Sequence, residues 1–182
     1  MARHTIGIIV GSNRRASINR RLALALARLL EDRFDVRFIA IDDLPIYNGD
    51  LEGHRPAAVD RFTDAVRDVD ALLFVSPEHN RSLTALLKNA IDWGSKPTDR
   101  NVWRDKPAAI TGTSMGAIGT AVGQQHLRQI LGILGMTVMG GEAYISFTPE
   151  PVDADGHFLD ESRRAFLAAY MDRFATLVEK LS

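Results

Sequence analysis

Apolar residues fall along this chain in two kinds of block, and the blocks come in pairs. Ile6 to Val10 is an apolar run that reads as a buried strand. It is followed by Leu22, Ala25, Leu26, Leu29 and Leu30, whose spacing is helical. Phe34 to Ile41 reads as a second strand carrying Val36, Phe38 and Ile39. The turn-rich stretch Asp42 to Asp50 leads to Pro56, which opens a helix with Val59, Phe62, Val66 and Val69 on one face. Ala71 to Val75 is a third strand. Ser82 is placed to cap a third helix with Leu83, Leu86, Leu87, Ala90 and Ile91 inward and Trp93-Gly94 as its stop. Pro107 to Thr111 is the fourth strand, and its helix turns Leu127, Ile130, Leu131 and Leu134 to one side. Met136 to Met139 is the fifth, with room to continue to Ile145. Phe147 to Phe158 holds two prolines and a hairpin-like Asp155-Gly156 turn. The last helix is expected to bury Phe166, Ala169, Tyr170, Phe174, Leu177, Val178 and Leu181.

Strand followed by helix, five times over, predicts one parallel sheet with helices on both faces and right-handed crossovers. The whole chain, 1–182, reads as one domain without linkers or repeats. The strand order expected for such a chain is 2-1-3-4-5. That order reverses between strands one and three, and ligands of open parallel sheets bind at the carboxyl ends of strands at such a point.

The loops that converge there carry the candidate chemistry. Residues 11–19 combine Gly11, the hydroxyls of Ser12 and Ser17, the amides of Asn13 and Asn19, and the guanidinium groups of Arg14 and Arg15. This loop feeds a helix N-terminus, whose first amides lack internal partners and suit an anion. It contains neither Gly-x-Gly-x-x-Gly nor Gly-Lys-Ser/Thr, so it is not one of the two common nucleotide loops. By itself it is equally well read as a polar turn capped by Ser17 or Asn19. Residues 76–82 and 112–119 add backbone polar groups and small residues that let a flat ring approach closely. A mononucleotide with a phosphate and a planar head, such as FMN, matches the three loops together.

Composition narrows the classes. A formal net charge of −1 gives no reason to expect nucleic acid or an anionic membrane surface as partner. The chain has no cysteine, which excludes disulfides, thiol nucleophiles and Cys-ligated metals. The histidines at 4, 54 and 157 are scattered in sequence, so no metal site is expected. Asp153-x-Asp155-Gly156 is a fragment of a calcium loop without the required Glu, and reads as a turn. With no apolar run long enough to span a bilayer and no apparent leader, the expected location is the cytoplasm.

Three segments in register carry a family resemblance. Gly-Ser-x-Arg-x-x-Ser-x-Asn at 11–19, Ser-Pro-Glu-His-Asn at 76–80 and Leu-Lys-Asn-Ala-Ile-Asp-Trp at 87–93 resemble the NADPH-dependent FMN reductases. The nearest subgroup is the quinone, chromate and azo reductases. Thr113-Ser114-Met115-Gly116 and His126-Leu127-Arg128-Gln129-Ile130-Leu131 are similar to that subgroup too. The resemblance covers nearly the whole chain. His79 stands where the family usually has Tyr.

The resemblance implies a flavodoxin-like α/β sandwich. It implies FMN as cofactor, NADPH or NADH as reductant, and a small-molecule acceptor: a quinone, with azo, nitro or chromate compounds as further candidates. Gly11, Ser12, Arg14, Ser17, Ile18 and Asn19 are then expected around the FMN phosphate. Pro77, Glu78, His79, Asn80 and Ser82 would line the isoalloxazine, largely through backbone, and Ser114, Met115 and Gly116 would approach from the third loop. A homodimer or homotetramer is implied. No catalytic side chain is expected, because hydride transfer at flavin N5 is the cofactor's own chemistry. Arg15 and Arg20 read as solvent-facing charges.

The rival reading is a non-catalytic flavodoxin-type electron carrier or flavin-binding sensor. Charge argues against it. The three loops hold one acid, Glu78, against Arg14, Arg15 and Arg81, and positive charge favours a fully reduced, anionic flavin.

Overall fold

The computed structural model describes residues 3–181; Met1, Ala2 and Ser182, which the domain reading includes, lie outside the described residues. The strands are β1 (Thr5–Val10), β2 (Asp35–Ile39), β3 (Ala71–Val75), β4 (Pro107–Ser114), β5 (Thr137–Val138) and β6 (Tyr144–Ser146). The helices are α1 (Ile18–Leu30), α2 (Ala57–Arg67), α3 (Ala85–Gly94), α4 (Ala121–Ile133) and α5 (Glu161–Leu181). The sheet runs β2-β1-β3-β4-β5, and the pairs along it are all parallel. The flavodoxin-like order expected from the sequence is therefore the order observed.

Side chains alternate across each strand and so feed two cores. Ile6, Ile8, Leu73 and Val75 pack under α1 and α5 with Leu22, Leu26, Tyr170 and Phe174. Ile9, Leu72, Phe74 and Ile110 pack under α2, α3 and α4 with Phe62, Val66, Trp93, Trp103 and Leu127. β3 is buried at each of its five positions, as its unbroken apolar run requires.

The boundaries differ from the sequence reading in places with identifiable causes. The fifth strand is split. β5 pairs with the start of β4, whereas β6 pairs with its end, Gly112 opposite Tyr144. Between them the Arg128 guanidinium takes the carbonyls of Met139 (2.8 Å) and Gly141 (3.1 Å), and Gly141 turns the chain at φ 84°. β4 itself runs on to Ser114 because β6 extends its ladder. The third helix is capped by Thr84, whose hydroxyl accepts from Leu87 N at 3.1 Å, so Ser82 lies in the preceding turn. Gly94 is the last residue of α3 and not a left-handed stop; a Cβ there would collide with the Trp103 ring. In α5, Phe166 and Leu181 are about half exposed, and Leu167, Met171 and Ala175 join Tyr170, Phe174 and Val178 inside.

The 147–158 segment forms the expected turn, with Val152 bridging Phe158. Three of its residues sit together: Asp153, Asp155 and His157 bring ligand-type atoms within 4.8 Å of one another. His157 thus has two acidic neighbours in this turn, while remaining apart in sequence from His4 and His54. The Asp153 carboxylate accepts from the backbone N–H groups of His157 and Asp155, and these bonds hold its pKa below the usual carboxylate range. Arg28 lies against His157 Nε2 at 2.9 Å.

Tyr170 connects the α5 core to the sheet. Its buried phenol donates to the Ile110 carbonyl of β4 at 2.7 Å, and burial pushes its pKa up. Tyr170→Phe should cost about 1 kcal/mol in urea unfolding, the net worth of one such bond. The phenol is held protonated in the fold, so the unfolded chain ionises first as pH rises past the ordinary value of 10.0. The stability gap between parent and Tyr170→Phe should therefore be full at neutral pH and shrink above that range.

Candidate functional site

The carboxyl ends of β1, β3 and β4 meet in a cleft of about 350 Å3. Each loop is pinned to its neighbour as it leaves the sheet. Gly11 N donates to Val75 O at 2.9 Å, and Ser76 N to Thr111 O at 3.0 Å. The approach is so close that a Cβ on Gly11 would strike the Ser76 hydroxyl and a Cβ on Gly112 the Ser76 carbonyl. Both glycines are required by space and not by an unusual φ.

Loop 11–19 ends in a capped helix. The Ser17 oxygen accepts from Arg20 N at 3.2 Å and satisfies one of the free amides of the first turn of α1. Among the described residues, the backbone amides of Ser12, Asn13, Ile18 and Asn19 have no hydrogen-bond partner within the chain, and these residues line the cleft. Open amides at the positive end of a helix dipole, with Arg14 beside them, have the chemistry that suits an anion. Asn19 itself is buried. Its side chain donates to Thr113 O and accepts from Thr113 N, both at 2.9 Å, which ties α1 to β4. Thr84 closes the other side, donating from its hydroxyl to Gly11 O at 2.9 Å.

Loop 76–82 contains a tight reversal. His79 and Ser82 exchange both backbone hydrogen bonds at 2.9 Å, and Asn80 (φ 50°) and Arg81 (φ 64°) are both left-handed. That is a primed turn, tolerated by Asn but strained by about 1–3 kcal/mol at Arg. Glu78 stabilises it from below. Its carboxylate accepts from Gly123 N at 2.9 Å in the first turn of α4, whose own cap residue Thr120 accepts from no backbone N–H of that turn. With only 10% of its side chain exposed and Arg81 at 3.8 Å, Glu78 acts as a distant cap to α4. In loop 112–119, the Ser114 hydroxyl donates to Gly119 O at 2.6 Å and accepts from Gly116 N at 3.2 Å.

The cleft brings together Gly11, Ser12, Arg14, Ser17, Ile18, Asn19, Pro77, Glu78, His79, Ser114 and Met115. Asn80 and Ser82 instead face a neighbouring groove of about 940 Å3 between α3 and α4, which His79 and Ala85 join to the cleft. Gly116 lines neither. The sequence reading did not single out Thr84, Ala85, Leu86 and Thr113 for the cleft, nor Asn13 for its backbone N–H. Thr84 was legible as a cap two residues beyond Ser82; Thr113 was hidden because its strand runs further than periodicity suggests. His126 turns to Ser82, Nδ1 to Oγ 3.1 Å.

A doubly wound sheet with an open-amide cleft at its switch point defines a mononucleotide-binding α/β protein of the flavodoxin-like class. Residues 4–150 match the family model of NADPH-dependent FMN reductase, and the chain belongs to that family. It is 43% identical to a 2-hydroxy-1,4-benzoquinone reductase of a Burkholderia species over 95% of both chains. It is 42% identical to a quinone reductase of Pseudomonas putida, over 97% of this chain and 95% of the relative. Among solved structures, the flavoenzyme NAD(P)H:(acceptor) oxidoreductase FerB of Paracoccus denitrificans superposes with a TM-score of 0.93 at 41% identity, covering 97% and 98% of the two chains. Among the described residues no helix is long and apolar enough to cross a membrane.

The Asn19–Thr113 pair should carry much of the site's order. Asn19→Ala leaves two buried backbone groups of β4 unpaired, and should lower unfolding free energy by about 2–5 kcal/mol in urea titration.

Proposed function

We propose that the chain is an FMN-dependent NAD(P)H oxidoreductase whose acceptors are quinones, acting by alternate binding of reductant and acceptor over one flavin face. The observation that carries this reading is the row of open amides at Ser12, Asn13, Ile18 and Asn19 in a cleft bounded by Gly11 and Thr113. The family model and the quinone reductases that resemble the chain support it. FMN, when bound, supplies reversible hydride transfer at N5.

The residues present fit that group. The four amides, the Ser17 hydroxyl and the Arg14 guanidinium would hold its phosphate. Pro77, Glu78 and His79 would wall the ring on one side, and Ser114 and Met115 on the other. Asn19 works through its hold on Thr113, and Glu78 through its hold on α4, so neither is free to act as acid or base. His79 lines both the cleft and the α3–α4 groove, where an acceptor could enter. Azo, nitro and chromate acceptors would use the same open site.

The same groove favours a homodimer. Ile133 is 85% exposed at its edge, with Leu83 and Ile130 beside it. A second exposed apolar pair, Tyr144 and Phe166 in one shallow groove, would suit a dimer of dimers. The whole chain would act as a single FMN-binding domain, located in the cytoplasm where NAD(P)H is supplied.

Purified protein should release FMN on heating, bleach on anaerobic addition of NADPH without a partner protein, and regain colour on addition of benzoquinone. Release of FAD, or absence of bleaching by either NADPH or NADH, would overturn the reading. Ser17→Ala and Arg14→Ala should each weaken FMN by roughly 1–3 kcal/mol in fluorescence titration, the range for hydrogen bonds to a charged group. Riboflavin, which lacks the phosphate, should bind parent and variants alike.

A further inference from the structure

On the far side of loop 11–19 from the flavin cleft lies a second groove, about 450 Å3, at the carboxyl end of β2. It shares Ser12, Asn13, Arg14 and Leu86 with the cleft, so the two are continuous around the loop. Its other lining includes Arg15, Arg20, Phe38 and Asp42.

The arginines here are unlike many others in the chain. Arg21, Arg33, Arg55 and Arg61 each end on a carboxylate. Among the described residues, Arg14, Arg15 and Arg20 have neither a carboxylate nor a carbonyl partner for the guanidinium. Arg20 instead stands 5.7 Å from the centroid of the Phe38 ring, which is 39% exposed on the sheet edge. In a chain of net charge −1 this is a local excess of positive charge, three guanidinium groups against the single carboxylate of Asp42 in the groove lining. Unpaired guanidinium groups suit a phosphate, and the partly exposed Phe38 ring beside Arg20 offers apolar surface for a base. Asp42 offers an acceptor for a sugar hydroxyl. The groove therefore has the chemistry of a phosphorylated adenosine site.

FMN brings one phosphate, and the open amides on the cleft side of the loop account for it. A phosphate seated beyond that loop would belong to another ligand lying along the same cleft. We propose that this groove seats the adenosine end of the reductant, and that Arg15 and Arg20 bind the 2′-phosphate that distinguishes NADPH from NADH. The inference rests on the reading of the chain as an NAD(P)H oxidoreductase and adds the origin of its coenzyme preference. Arg15 and Arg20, expected from the sequence to be plain solvent-facing charges, are exposed but converge on one concavity.

The test uses FMN-loaded protein and the double variant Arg15→Ser/Arg20→Ser, with flavin content matched by visible absorbance. By calorimetry, the parent should bind 2′,5′-ADP at least about tenfold more tightly than 5′-AMP, the scale of one charge-assisted hydrogen bond. The double variant should bind the two alike. In turnover the KM for NADPH should rise about tenfold or more, while that for NADH stays within about twofold. Equal binding of the two nucleotides by the parent, a preference that survives in the double variant, or an equal rise in both KM values overturns the proposal. The nucleotide titration does not depend on turnover. A parent that prefers 2′,5′-ADP through these arginines, yet is not bleached by reduced nicotinamide, would overturn the function and keep the site.

Discussion

Two hydrogen bonds between the Asn19 side chain and the Thr113 backbone, buried and spanning 94 residues of sequence, set the geometry on which the site depends. They fix the first turn of α1 against the end of β4. The open amides of that turn therefore face the cleft at a set distance from the third loop. Glu78 does the same for the second loop, holding it to the first turn of α4. Thr84 ties α3 to Gly11. In each case a side chain that looks like a ligand is consumed in holding backbone, and backbone is left to meet the ligand. A site built this way has little to reorganise on binding, which is how rigid scaffolds deliver affinity.

This division of labour fits the proposal that hydride transfer is left to the cofactor. The groups that face the cleft are mostly amides, hydroxyls, small residues and guanidinium, with Glu78 bonded to Gly123 and His79 at the rim. They bind and orient, and their charge favours an anionic reduced cofactor. The strain at Arg81 sits in the turn that His79 opens, at the junction of the cleft and the α3–α4 groove. Strain retained at such a junction is held by its surroundings, here the Glu78–Gly123 bond below it.

The sheet order and both cores were legible in the sequence because unbroken apolar runs such as Ala71–Val75 report burial on two faces. The three loops were legible because strand order alone brings them together. What escaped was set by tertiary partners. Arg128 takes carbonyls that a continuous fifth strand would have used, and so splits it into β5 and β6. Thr84 wins over Ser82 as cap because its hydroxyl also reaches Gly11. Gly94 looked like a helix stop, yet it is small to admit Trp103. No local pattern marks Asn19 as a brace, since its partner lies on another strand. Nor does any mark Arg15 and Arg20 as neighbours of Phe38, which requires β2 to lie beside β1.

Backbone amides as the phosphate seat are the centre of this account, and they can be watched one by one. Amide spectra of isotope-labelled apoprotein, titrated with FMN and separately with riboflavin, test the claim most directly. The amides of Ser12, Asn13, Ile18 and Asn19 should shift downfield and gain exchange protection with FMN and not with riboflavin, while Thr113 and Gly123, already bonded, stay protected throughout. Identical responses to the two flavins at those four amides would contradict the account.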